Sequence, residues 1–338
     1  MAEQVKLKWY MVWGPLLGLL GIDLLYQTGI VWKQWHVLSQ AEPLFLLVAV
    51  VNQLAVYVVL VPAMQDFYAA SGIAMTGRRA FSLLAMGMAF SRIVPVGEYL
   101  IWRASLRGKR GAASATTQWL IMYYSFMFCG VVAVFLVTQI LTIFLYPNAH
   151  AHTLVGQLRF LPVALLVIGL VVASLTRFEW MRRLLRRFTY DKLGSQAVSP
   201  IGIIKDRRLS RNNLGWLVFA SLATWMIEGF TLYLCLRSLG LQVPLVMAVF
   251  AFTFARLFAL IPVVPGGAGQ MEAGAALLLV AYNYPFGMVF TAAVLYRLMT
   301  YWPPLVLGAY SYWRSSESRG LGAATGSLFA AQLRRRSE

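Results

Sequence analysis

Between residues 254 and 276 the chain reads FARLFALIPVVPGGAGQMEAGAA, set among apolar runs yet holding Arg256, Pro262, Pro265, Gly266, Gly267, Gly269 and Glu272. A helix crossing a bilayer cannot accept so many breakers, because each freed backbone N–H or C=O needs a partner that hydrocarbon does not supply. The spacing predicts two half-helices that enter from one side and turn back around the P-G-G-A-G segment, surrounded by protein or a water-filled cavity. An Arg and a Glu at that depth cost roughly 2.5–3.5 kcal/mol each on insertion scales, so both are expected to face inward and to have partners. A weaker copy precedes it at 90–106, FSRIVPVGEYLIWRASL, where Arg92, Pro95, Gly97 and Glu98 repeat the order Arg, Pro, Gly, Glu in a shorter spacing. Corresponding broken segments in two halves of a membrane protein point to a transport-type binding site.

Composition supplies the frame. Of 338 residues 60% are hydrophobic and only 12% charged, with a mean hydropathy of +0.68. That describes a polytopic membrane protein, and no stretch is left that is long enough for a separate soluble catalytic domain. A formal charge of +17 could suggest nucleic acid. The basic residues instead lie in short segments between apolar spans, the distribution of positive-inside topology, whose natural partner is an anionic lipid surface. Nucleic acid is therefore not expected. Cys129 and Cys235 both fall inside predicted spans and read as buried small apolar residues, with no metal site or disulfide framework.

In chain order, Lys6 and Lys8 precede an apolar run at 9–30 that contains Asp23 and lacks an A-x-A-like cleavage site. It reads as a retained first span starting in the cytoplasm. A second span at 43–62 returns inward, and the first broken segment, 80–106, enters from and returns to the cytoplasmic face. Spans at 116–146 and 160–176 follow, joined outside by PNAHAHT. Residues 177–211 hold ten basic and three acidic side chains. Phe178, Met181, Leu184, Leu185 and Phe188 recur there at helical spacing, which suits an amphipathic helix on the anionic inner leaflet, although a loop that only fixes topology is the more ordinary reading. A span at 214–236 leads outward, the second broken segment at 245–281 starts and ends outside, and 285–313 crosses inward to a basic, flexible tail. Lys33, Arg159 and Arg237 fall outside, Arg92, Arg256 and Arg297 fall in the membrane, and every other Lys and Arg falls inside.

The expected fold class is thus an all-α polytopic membrane protein of about six transmembrane helices plus two re-entrant broken-helix hairpins, arranged as an inverted-topology repeat. Its parts are a membrane half at 1–176, a basic linker at 177–213, a second membrane half at 214–313 and a tail at 314–338. Both termini are expected in the cytoplasm, in a bacterial-type inner membrane.

Within the membrane region Arg92, Arg256 and Arg297 stand against Asp23, Glu98, Glu228 and Glu272. Two readings fit: a structural network of paired charges, or a polar cavity whose arginines hold an anionic group, most naturally a lipid phosphate, with their planar forks. The P-G-G-A-G turn adds backbone N–H groups, and the half-helix beginning near Ala268 points its positive end at the same place. Glu272, in the first turn of that half-helix, could stabilise the helix start, hold an arginine, or take up a proton during transport. His150 and His152 read as a solvated loop rather than a metal site, and no Ser-His-Asp set or nucleotide loop is present.

The stretch IPVVPGGAGQMEAG, with the following LYRLMTYWPPLVLG, resembles the lysylphosphatidylglycerol synthase transmembrane region family, which includes the membrane half of the bacterial multiple peptide resistance factor. The family pattern P-G-G-x-G-x-x-E falls on Pro265, Gly266, Gly267, Gly269 and Glu272. Its Y-R falls on Tyr296 and Arg297, and an earlier P-x-G-E with a downstream Arg falls on Pro95, Gly97, Glu98 and Arg103. The resemblance implies a flippase-type fold moving a modified phospholipid, a hopanoid-type lipid or a glycan lipid between leaflets, without a cofactor. The aminoacyl-transferase domain of the full resistance factor has no counterpart here, so aminoacylation is not expected. With fewer spans than that factor's membrane region, a homo-oligomer is compatible with the chain.

The leading expectation is a lipid translocase without catalytic chemistry, its polar slot lowering the cost of carrying a charged headgroup through hydrocarbon. A membrane enzyme using Glu98 or Glu272 as base and an accessory subunit recruiting a partner through 177–211 are the alternatives.

Overall fold

The computed structural model describes residues 35–93, 98, 101–102, 105–106, 112–146, 211–259 and 269–314, the side chains of 35, 37, 92, 93, 112–114, 211 and 212 excepted. Every regular element among them is helical. After a single turn at Trp35–Leu38 come α1 (Pro43–Ala70), α2 (Gly77–Ile93), α3 (Ala112–Leu145), α4 (Arg211–Ser238), α5 (Leu245–Phe258), α6 (Gln270–Ala281) and α7 (Phe286–Arg314). The expected span at 9–30 with Asp23, the loop at 147–153, the span at 160–176, the linker at 177–210 and the tail from 315 lie outside the described residues.

Among the described residues three helices are long and apolar enough to cross a membrane: Pro43–Ala70, Ala115–Leu145 and Asn213–Ser238. They leave bulky apolar side chains on their outer faces, such as Leu44, Leu47, Val58, Val137 and Phe144. An apolar exterior on this scale is what lipid contact requires and water would penalise. At 29 residues α7 is also long enough, about 43 Å at 1.5 Å per residue. It carries Arg297 mid-helix, several tyrosines and the Pro303–Pro304 pair.

One boundary and one burial differ from the sequence expectation. α1 runs on past Pro62 to Ala70, so that proline sits inside a 28-residue helix rather than ending it. Proline forfeits one backbone bond, which packed neighbours in a membrane helix can absorb. Cys129, expected to be buried, is exposed on the outer face of α3, while Cys235 is buried.

α1 and α4 end in the same way. At the end of α1, Gly72 and Ile73 donate backbone bonds to Ala69 and Tyr68; at the end of α4, Gly240 and Leu241 donate to Arg237 and Leu236. Both glycines are left-handed, at φ 74° and 76°, as this helix stop demands. Each is followed by a short extended link and then a short helix.

α1 and α4 pack together antiparallel: the Glu42 amide donates to the Ser238 carbonyl, and mid-helix Asn52 and Gln53 both donate to Thr231 Oγ1 at 2.9 and 2.7 Å. Such polar contacts tie helices together where the hydrophobic effect gives no preference. The start of α2 lies by the end of the first broken segment, since Arg79 Nη2 donates to the Ser105 carbonyl at 3.1 Å and Trp102 Nε1 donates to the Leu83 carbonyl at 2.6 Å. The start of α5 lies by the end of α6, where Tyr284 Oη donates to the Gln242 carbonyl. These two turn-backs open at opposite ends of the bundle. Across the halves, α2 packs on α7 and α5 packs on α3. Two buried clusters result, one around Tyr57, Phe67 and Trp119, the other around Phe135, Phe250 and Leu279, with Trp225 against both.

Candidate functional site

Where the two clusters meet, a cavity of ≈ 530 Å³ opens among all seven helices α1 to α7 and Glu98 of the first broken segment. Its charged lining is Glu98, Glu228, Arg256 and Arg297. Each comes from a different element, so the charges converge only through the packing of these elements around one cavity.

Two linked groups organise the polar wall. In the first, Tyr296 donates its hydroxyl to Glu228 Oε2 at 2.5 Å and accepts a bond from Arg256 Nη2 at 3.3 Å. The Arg256 guanidinium also lies 5.6 Å from the Phe252 ring and 5.8 Å from the Trp225 ring. Arginine near aromatic faces gains electrostatic stabilisation from the rings. In the second group, Arg297 Nη1 contacts Glu272 Oε1 at 2.9 Å, with the Glu272 side chain only 3% exposed. Adjacent residues on α7, Tyr296 and Arg297, thus serve both groups. Opposite them Tyr124 Oη donates to Glu98 Oε2 at 2.9 Å.

Beside the cavity two atoms are buried without a hydrogen-bond partner among the described residues: Arg256 Nε, a donor, and Glu272 Oε2, an acceptor on a residue behind the lining. A buried polar atom left unmatched costs about 1–3 kcal/mol, so this arrangement of charges is held at some expense of stability.

Local sequence explains how α6 brings Glu272 here. Gly269 caps the helix at φ 77°, a left-handed backbone that a side chain would strain, and Glu272 follows in the first turn. The helix starts within two residues of the expected Ala268. A carboxylate there complements the positive end of the helix as well as its arginine partner.

Of the residues singled out by sequence, Glu98, Glu228, Arg256, Tyr296 and Arg297 line the cavity, and Glu272 is bonded to one of them. Gly269 stands at the start of α6. Pro95, Gly97, Arg103, Pro265, Gly266 and Gly267 lie outside the described residues. Arg92 is on α2, its side chain likewise outside them. Sequence reading missed Gln53, Tyr123, Tyr124 and Trp225, all of which line the cavity. Asn52–Gln53 in the middle of an apolar run was an available signal, since polar residues at that depth are costly and face inward. The tyrosines carried none, being common in membrane helices as packing and interfacial residues.

A family model described as the lysylphosphatidylglycerol synthase TM region matches residues 12–308. The chain belongs to this family. Within the lysylphosphatidylglycerol synthase TM region proteins, a UPF0104 membrane protein of Methanothermobacter thermautotrophicus is 24% identical over 316 residues, 84% of this chain and 90% of the relative. A UPF0104 membrane protein of Methanocaldococcus jannaschii is 31% identical over 102 residues, 30% of this chain and less than half, 44%, of that relative's length. The phosphatidylglycerol lysyltransferase of Bacillus subtilis is 25% identical over 130 residues, 35% of this chain and 15% of that protein. No solved structure matches the chain.

Proposed function

We propose that this protein is a lipid translocase, which moves a phospholipid or another polar-headed lipid between leaflets by way of the cavity between its two halves. The observation that carries the reading is the pair of linked groups Arg256–Tyr296–Glu228 and Arg297–Glu272 around a space of ≈ 530 Å³. That size is within the roughly 300–1,000 Å³ usual for small-molecule sites. A headgroup there exchanges bonds with water for bonds to the polar groups that line the cavity, Arg256 and Arg297 among them, while its acyl chains stay in the surrounding lipid. This exchange lowers a barrier that is set by desolvating a charged headgroup.

No catalytic step is included in the proposal. The two turn-backs, opening at opposite ends, fit an inverted repeat in which the halves rock about the cavity. Basic segments set the orientation, with the ends of α1 and α7 on the cytoplasmic side of an inner membrane. The alignment with a protein named for phosphatidylglycerol supports a phospholipid as the substrate class. Leaflet exchange of labelled phospholipids in liposomes holding the purified protein tests the reading.

A further inference from the structure

A second concavity, ≈ 450 Å³, lies at the end of the bundle where α2 starts and α7 finishes, away from the charged cavity. Arg78, Arg79 and Arg314 line it together with Ser82 and Tyr310, and no carboxylate among the described residues does. Leu83 and Met86 give it an apolar floor. Positive-inside topology accounts for arginines at this end of the protein. It does not account for their meeting over one hollow from two helices at opposite ends of the sequence.

Two of the three are held in place. Arg79 is fixed by its bond to the Ser105 carbonyl at 3.1 Å. Arg314 donates to Tyr310 Oη at 2.6 Å and lies 5.8 Å from that ring. Arg78 and Arg314 have no acidic partner among the described residues. The start of α2 adds partial positive charge, whereas the partial negative charge at the end of α7 is offset by Arg314 in its last turn. A guanidinium fork matches a phosphate in bidentate fashion, and holding it in advance reduces the ordering cost of binding.

We propose that this hollow binds a phosphate-bearing lipid headgroup at the membrane face, with the phosphate on Arg78, Arg79 and Arg314 and the first part of the acyl region over Leu83 and Met86. The apolar floor under a basic rim is what selects an amphiphile over a free anion. The site would hold an anionic lipid whether or not lipid crosses through the central cavity, so it stands or falls separately from the translocase reading.

The test is equilibrium binding to the full chain in a neutral detergent, with dihexanoyl phosphatidylglycerol and inorganic phosphate as the two probes. Arg78→Gln and Arg314→Gln are each expected to weaken the lipid probe about tenfold, as loss of a charge-assisted bond implies. Arg237→Gln, an equal loss of charge at the other end of the bundle, is expected to leave affinity unchanged. Arg78 and Arg314 are exposed, so their removal spares the core. Thermal unfolding of each variant at the wild-type temperature verifies this. Wild-type affinity in both pocket variants, or an equal loss in Arg237→Gln, overturns the site. Inorganic phosphate binding as tightly as the lipid probe overturns the lipid assignment, and a preference of tenfold or more for the lipid supports it.

Discussion

Glu272 and Arg297 meet at 2.9 Å, one from the first turn of α6 and the other from the middle of α7. The Glu272 side chain is almost fully buried, and its second oxygen is left unmatched among the described residues. The pair therefore ties the broken half-helix to a full-length one while leaving one acceptor open.

Breaking this pair from one side strands a buried charge. Arg297→Ala is expected to destabilise the protein by about 3–5 kcal/mol, and the double variant Arg297→Ala with Glu272→Ala by clearly less than the sum of the two single changes. Thermal unfolding in detergent, completed as a double-mutant cycle, measures the coupling. Additive losses would mean that the contact does not hold α6 to α7.

Tyr296 bridges two charged groups with one hydroxyl. Tyr296→Phe keeps the ring and its packing on Phe252 but removes both bonds, at an expected cost of about 1.5–3 kcal/mol. Arg256→Lys is expected to cost a comparable amount, because a compact ammonium does not reproduce the guanidinium's reach to Tyr296 together with its place beside Trp225 and Phe252. Unfolding curves for the two variants, set beside wild type, check both values.

α2 and α7 approach closely at Gly308, where an added Cβ would lie 2.7 Å from the Ala85 carbonyl oxygen and 2.3 Å from Ala89 Cβ. Gly308→Val therefore forces the two helices apart. Loss of about 1–3 kcal/mol, or failure to accumulate in the membrane, is the expected result. Quantitative immunoblots of membrane fractions detect the latter.

The breaks, rather than the spans, were the most legible part of the sequence. Pro262, Pro265 and the glycines at 266–269 announced an interrupted helix because lipid does not tolerate freed backbone groups, and α5 and α6 do stop on either side of that stretch. Glu272 and Arg297 were legible for a related reason, since ionised groups at that depth need partners. Boundaries were less so. Pro62 looks like a helix end by propensity, and only packing against neighbours lets α1 continue to Ala70. Tyr124 and Trp225 could not be found from pattern, because their partners, Glu98 and the Met127 carbonyl, are set by how helices pack.

The assignment of the two bundle ends to opposite membrane faces gives a further prediction. In vesicles of defined orientation, an impermeant maleimide should reach Ala74→Cys only from the cytoplasmic side and Ser39→Cys only from the outer side. Cys129, on the lipid-facing surface of α3, is replaced by Ser to remove background. Labelling of both positions from one side would contradict the topology.

The most direct measurement of the central claim is the rate of leaflet exchange of labelled phospholipid in liposomes reconstituted with wild type, Glu272→Gln, Arg297→Ala and the lipid-facing Val306→Ala. All four are first shown to be folded. Exchange that is fast for wild type and Val306→Ala, and at least tenfold slower for the two cavity variants, is the predicted result. Equal rates for all four, or no exchange above protein-free liposomes in any of them, would contradict a translocation path through the Glu272–Arg297 cavity.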